Sequence, residues 1–255
     1  MLEQVKSNKG YFNQIKLDDK ELEIIRSLIK VNYIKHLSKI SNGIAAEANK
    51  NSMDYYHNLL EKYPQIIHRE IWTKAKRLLP MKDVDVIKSL KFFKKLINDL
   101  PGVKISNEEL IYPEEFYWRL VRPLTHGGVD DVGPMHADKW FWDLGKGVMM
   151  NGYSRVKMWM SIFNESGQSG FRFVSGSHLV DWPYTGILKD GNVKPKLDFC
   201  ESKLDIEPFV CESGGVILFN DKLLHGGLVG GGKTRVSLEC TLLIPDNIYN
   251  QYAVN

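Results

Sequence analysis

Three side chains in this sequence have the types and spacing of a metal centre. In "MHADKW" the histidine His136 and the carboxylate Asp138 stand two positions apart, and about ninety residues later "LLHGG" presents His225 directly before two glycines. On extended backbone, residues i and i+2 point to one face, so His136 and Asp138 are spaced to present an imidazole and a carboxylate side by side. On a helix they would diverge by roughly 200°, so the pair needs extended backbone. Gly133 and Pro134 just upstream disfavour helix there. Alone, His-x-Asp is equally the pattern of a loop histidine bonded to a neighbour. With the distant histidine it becomes the two-His, one-carboxylate facial triad, which holds Fe(II) on one face and leaves positions open on the other. Cys200, Cys211 and Cys240 are odd in number, widely spaced and without a CxxC pair. That argues against a disulfide framework and a thiolate zinc site.

Ten residues beyond His225 comes Arg235, opening "RVSLECTLLIP", in which Arg235 and Ser237 share one face. An arginine at the head of an otherwise apolar strand is costly unless it meets a carboxylate. A guanidinium fork beside a hydroxyl is a natural clamp for a dicarboxylic co-substrate, because the fork matches a carboxylate bidentately.

The elements that must position these residues change character near Pro101. Before it, "DKELEIIRSLIKVNYIKHLSKI", "SMDYYHNLLEKYPQIIHREIWTKAKRLL" and "DVDVIKSLKFFKKLINDL" carry apolar residues at three- and four-residue spacings. They predict amphipathic helices, with Asp19 and Ser52 as N-caps and Pro80 and "LPG" at 100 to 102 as stops. After Pro101, short runs rich in β-branched and aromatic residues, "EEFYWRLVRP", "RVKMWMSIFN", "FRFVSGSH", "DIEPFVCES", "GVILFN" and "TRVSLECTLLIP", are punctuated by glycine. They predict a sandwich, jelly roll or barrel. One domain is expected over 1–255, mainly helical over 1–110 and β over 111–250. The stretch at about 179–205 is read as a lid, because long ordered loops in compact domains are usually functional.

The 255 residues, 43% of them hydrophobic, suffice for a substantial core. A formal net charge of +3 gives no field directed at nucleic acid or an acidic membrane. The N-terminal stretch has no apolar h-region, and no run reaches the roughly 18 apolar residues of a membrane span. A cytoplasmic protein acting on a small molecule is expected, without nucleic-acid or membrane partner.

Taken in order, "HAD", Trp159, "SGSH", His225 and "RVS" resemble the phytanoyl-CoA dioxygenase-like branch of the Fe(II)/2-oxoglutarate oxygenases, over about residues 115 to 245. The resemblance implies a double-stranded β-helix (jelly roll) core with packed N-terminal helices, mostly β with α. It implies His136, Asp138 and His225 as iron ligands. Arg235 would take the distal carboxylate of 2-oxoglutarate, Ser237 would add a hydrogen bond, and Trp159 would line the pocket. "SGSH" at 175 to 178 would be the family's turn; Ser175 departs from the family's proline, but the turn depends more on its glycine. The activity implied uses Fe(II), 2-oxoglutarate and O2, yielding succinate and CO2. Halogenases of this family replace the ligand carboxylate with a small residue, so Asp138 favours hydroxylation over halogenation, with desaturation, epimerisation and ring formation left open.

Arg119 and Arg122, at i and i+3 on a strand, point to opposite faces. One of them would reach the proximal end of 2-oxoglutarate; Arg119 is carried as the candidate, though the spacing does not choose. Lys139, Trp140, Trp142 and Arg172 are placed at the rim, where cations and aromatic faces suit a polar or anionic substrate. His178 is expected to be structural, His126 a loop histidine, and His36, His57 and His68 surface or packing residues. Two other functions fit the same fold class: a cupin-type metal enzyme, which predicts a His-x-His cluster this sequence lacks, and a non-catalytic jelly-roll binding module.

Overall fold

A computed structural model describes residues 1–106, 113–189 and 192–252. Two eleven-residue strands dominate it. Tyr153–Phe163 alternates between two buried faces: Val156, Met158, Met160 and Ile162 join the large core shared with the helices, while Trp159 joins a second cluster on the opposite side. Arg235–Pro245 behaves in the same way, its Val236, Leu238, Cys240, Leu242 and Ile244 all turned to the helical core. Both runs alternate, and their second face is buried as well although it carries polar residues: Lys157 and Ser161 on one strand and Arg235, Ser237 and Thr241 on the other.

In chain order the strands are β1 (Tyr11–Lys16), β2 (Lys104–Ser106), β3 (Tyr117–Val121), β4 (Tyr153–Phe163), β5 (Gly170–Phe173), β6 (Tyr184–Lys189), β7 (Asn192–Leu197), β8 (Glu207–Pro208), β9 (Gly215–Asn220), β10 (His225–Leu228) and β11 (Arg235–Pro245). Six form one antiparallel sheet in the order β1-β9-β4-β11-β2, with β3 also paired to β11. A three-stranded sheet, β10-β5-β8, lies against its inner face through Trp159, Ile217 and Phe219 on one side and Phe171, Phe173 and Phe209 on the other. The inner cluster is therefore largely aromatic, and the site is built at its edge.

The architecture is mixed, with nine α-helices and eleven strands among the described residues, rather than mostly β. The part read as helical contributes β1 and β2 to the large sheet, where they pair with β9 and β11. The boundary drawn at 110/111 lies outside the described residues. The first of the three expected helical runs, Asp19–Ser38, is capped by Asp18 and not Asp19: the Asp18 side chain accepts the Glu21 N–H and Glu21 closes the capping box. The second run is broken at Tyr63, which Pro64 forces out of helical backbone, and continues only as short pieces. Ser52 precedes a single 3-10 turn and makes no capping bond. The third run splits at Leu90, in extended conformation, into Met81–Ser89 and Lys91–Asp99. The split is supported by Glu21, whose second oxygen accepts the Phe92 N–H at 2.8 Å and so caps the later helix from outside. A helix at Asn42–Lys50, capped by Ser41, had no expectation attached to it.

Candidate metal centre

His136 and His225 face one another across an isolated antiparallel bridge, each N–H donating to the other's carbonyl, at 3.0 and 2.9 Å. The first arm therefore has extended backbone at His136, as its role requires. Asp138 does not: its φ of −62° and ψ of −33° place it at the head of the helix Lys139–Asp143. The chain passes from strand to helix between the two ligands, and this turn, not strand alternation, brings their side chains together.

Their polar atoms converge. His136 Nδ1–H donates to the Pro134 carbonyl and His225 Nδ1–H to the Leu223 carbonyl, both at 2.9 Å. A carbonyl can only accept, so each Nδ1 carries a proton, which in a neutral imidazole leaves the Nε2 lone pair free. Those Nε2 atoms lie 3.8 and 3.7 Å from the Asp138 carboxylate, and one ligand atom from each residue falls within 4.8 Å of the others. His225 is held between Phe171 and Phe219, with ring centroids 5.2 and 4.7 Å away. Burial opposes ionisation of Asp138, yet Lys157, His225 and His136 together hold its carboxyl below the usual carboxylate range. An ionised carboxylate with two neutral imidazoles is the donor set a divalent metal needs.

Arg235 lies on the inner face of β11, 3% exposed, with Nη1 donating to the Gly170 carbonyl and the guanidinium 6.0 Å from the centre of the Trp159 ring. Among the described residues no carboxylate pairs with it. Its Nε and the Ser237 hydroxyl are both buried without a partner. Two orphaned polar groups side by side on one strand face are what a carboxylate co-substrate would satisfy. Burial lowers the guanidinium to about 10, which leaves it charged at neutral pH.

Arg119 lies opposite Ser237 in the β3–β11 register and is ion-paired with Glu239. Arg122 is committed elsewhere, its Nε and Nη2 gripping Asp131 at 2.8 and 2.7 Å. Of the rim residues only Trp142 faces this wall, lying over the Arg155 guanidinium at 3.6 Å and near Lys157. Trp140 turns the other way, buried and stacked on Tyr184 at 4.6 Å. Arg172 also points outward, because strand alternation sends Phe171 and Phe173 into the inner cluster; it bonds Glu201 instead. Lys139 pairs with Asp143 across one helical turn. It also borders a groove of about 430 Å³ that Lys6, Arg155 and Lys222 help to line.

The turn at "SGSH" works through its backbone. Gly176 has φ +76°, and a Cβ there would come within 2.8 Å of the Asn8 carbonyl. Ser177 Oγ donates to the Val174 carbonyl and accepts the N–H of Leu224, the residue just before His225, so the turn anchors the second ligand arm. His178 is buried beneath Gly10 and His126 meets Glu61 at 2.9 Å; neither joins the ligand cluster.

Sequence reasoning missed Lys157, whose ammonium lies 3.4 Å from Asp138 and donates to the Thr241 hydroxyl. Its signal was available: it stands two residues before Trp159 on one strand and so shares the inner face.

Burial pushes His225 down to about 3 and His68 to about 4. Both stay neutral in the fold, whereas in the unfolded chain each takes up a proton near 6.5. The unfolded state thus binds more protons as pH falls, and stability is lost from about pH 6.5 down through the folded values. Each histidine adds a slope approaching about 1.4 kcal/mol per pH unit in that window. Chemical denaturation of metal-free protein is expected to show a markedly lower midpoint at pH 5 than at pH 7; equal midpoints would contradict the assignment.

No model of a known protein family matches the chain, and no curated protein matches it in sequence. Solved structures do match in fold. The apo form of the non-heme monooxygenase ThoJ superposes with a TM-score of 0.54 at 12% identity, over 96% of this chain and 80% of that one. The non-heme alpha-ketoglutarate-dependent carbocyclase SnoK and epimerase SnoN, both from nogalamycin biosynthesis, give 0.51 and 0.50 at 11% identity, over 95% of this chain and 83% and 79% of theirs. The chain thus shares the fold of non-heme oxygenases and related enzymes.

Proposed function

We propose that this chain is an Fe(II)/2-oxoglutarate-dependent dioxygenase with a double-stranded β-helix core, hydroxylating a small polar or anionic metabolite in the cytoplasm. The observation that carries the reading is a pairing. The converging His136, Asp138 and His225 ligand atoms are joined through one aromatic cluster, with Phe171 and Phe219 on His225 and Trp159 beside Arg235, to a buried guanidinium Nε and the Ser237 hydroxyl, which lack partners. Fold likeness to enzymes named as non-heme and alpha-ketoglutarate dependent supports it. A cupin enzyme or an inert binding module gives no reason for the Arg235 Nε and the Ser237 hydroxyl to be left without partners in the interior.

His136, Asp138 and His225 would hold Fe(II), and Arg235 with Ser237 would bind the distal carboxylate of 2-oxoglutarate. Iron with this co-substrate supplies O2-driven oxidation of a C–H bond, with succinate and CO2 as by-products. The chain's own residues bind and orient. Trp159, Phe171 and Phe219 keep the inner wall dry and hold His225 in place. Lys157 keeps Asp138 ionised, and Arg119 with Glu239 presents a charged wall beside Ser237. Trp142 on Arg155 would form one side of the mouth. Among the described residues no helix is long and apolar enough to cross a membrane.

The groove beside Lys139 gives an anionic substrate group a place to rest, with Lys6, Arg155 and Lys222 against the one carboxylate of Asp221. Aerobic incubation with Fe(II) and 2-oxoglutarate is expected to release succinate, faster with phosphorylated or carboxylated metabolites than with neutral ones. Product mass separates hydroxylation from an epimerisation or ring closure. Absence of succinate with every substrate would reject the reading.

A further inference from the structure

We infer that Glu201 is a positioning residue for the metal centre, its carboxylate tying the two ligand-bearing arms to each other. This rests on the reading of His136, Asp138 and His225 as metal ligands.

The first arm is held weakly by its own backbone. Among the described residues the His136 backbone makes only the bridge to His225, two hydrogen bonds, before the chain turns into the helix at Lys139. Next to it, the Met135 N–H is donated to Glu201 Oε1 at 2.8 Å. The other oxygen of the same carboxylate takes Arg172 Nη2 at 3.3 Å. Arg172 lies on β5 opposite Gly226, the residue after His225. The connections therefore close a ring from Glu201 through Met135 and His136, across to His225 and Gly226, and back through Arg172. One residue beyond the His136–His225 bridge, and on the same side of it, Met135 and the β5 residue paired with Gly226 are clamped by a single side chain.

Gly226 packs against both residues that Glu201 holds: a Cβ there would stand 3.3 Å from Met135 Sδ and in ordinary contact with Arg172 Nε at 3.5 Å. β5 also couples the clamp to the rest of the site, since its Gly170 carbonyl receives Arg235 and its Phe171 stacks on His225.

The surrounding segment supports the same role. Met135 and Ala137, which alternate with the ligands, are buried with Trp140, Leu197 and Leu224, and Trp182, Tyr184, Leu204 and Ile206 pack against them. Tyr184 also sends its hydroxyl to Asp143 at 3.2 Å. The described residues of the stretch read as a lid thus press on the back of the ligand segment. Side chains that orient ligands in this way commonly govern metal affinity by about 10–100-fold, whereas an ordinary half-exposed ion pair would leave it unchanged.

The test is Co(II) titration of the purified full chain, followed through the visible d–d bands, alongside thermal unfolding without metal. Glu201→Ala is expected to weaken Co(II) binding by about 10-fold or more and to alter the band pattern. Glu201→Gln keeps an oxygen for the Met135 N–H and is expected to recover most of that loss, with Arg172→Met falling between. Wild-type affinity and spectrum in Glu201→Ala would overturn the inference while leaving the metal site intact. Wild-type protein that binds no Co(II) would overturn both. Should Glu201→Ala fail to fold, Arg172→Met decides: an unaltered affinity and spectrum in it overturns the inference.

Discussion

Asp138→Ala is expected to abolish metal binding and, with it, all succinate release. The carboxylate is one of three converging ligands and supplies their only negative charge, so its loss must exceed the roughly 10–100-fold penalty typical of removing an outer partner. It has a second effect. Lys157, 4% exposed, loses the carboxylate 3.4 Å from its ammonium while keeping the Thr241 hydroxyl. Removing one member of a buried pair costs about 3 kcal/mol where the other stays charged, so the metal-free variant should also unfold at lower denaturant. Asp138→Asn, which keeps the shape and removes the charge, should share both losses. Isothermal titration with Ni(II) and urea denaturation read the two separately. Metal affinity within a few-fold of wild type would remove Asp138 from the ligand set.

Arg235→Met is expected to spare the metal and lose the co-substrate. Methionine fills much of the same buried volume and removes the fork, so the packing against Trp159 is largely retained while the carboxylate clamp disappears. A charge-assisted bond is worth about 1.5–3 kcal/mol, which corresponds to roughly 10–150-fold weaker 2-oxoglutarate binding. Burying this guanidinium also costs stability, so the variant should be no less stable than wild type without ligand. Unchanged Ni(II) affinity with weakened 2-oxoglutarate binding, measured by competition or calorimetry, is the expected pattern. Equal loss of both would mean that Arg235 holds up the fold instead of the ligand.

The candidate ligand cluster was legible because metal chemistry constrains residue types tightly, and because "HGG" and "RVS" follow at a spacing that one turn between two strands produces. The route to it was less legible. Extended backbone was expected for both His136 and Asp138, yet the chain turns helical at Asp138. Strand alternation correctly placed Arg235 with Ser237. It could equally have found Lys157 and sent Arg172 outward, since both follow from the parity of an aromatic neighbour. Trp140 and Trp142, two apart on a short helix, diverge to opposite environments, one under Tyr184 and the other over Arg155. No periodicity in so short a helix announces which is which. Glu201 left no local trace, because its partners Met135 and Arg172 are far away in sequence and meet only when the two arms of the site are assembled. β1 was hidden for the same reason: its partner β9 lies some two hundred residues on.

The most direct measurement is an anaerobic titration of the purified protein with Fe(II) and 2-oxoglutarate, followed by visible absorption. A saturable, weak charge-transfer band that needs both components, and is absent in Asp138→Ala, is the predicted result. Fe(II) and 2-oxoglutarate that produce no band with wild-type protein would contradict the account.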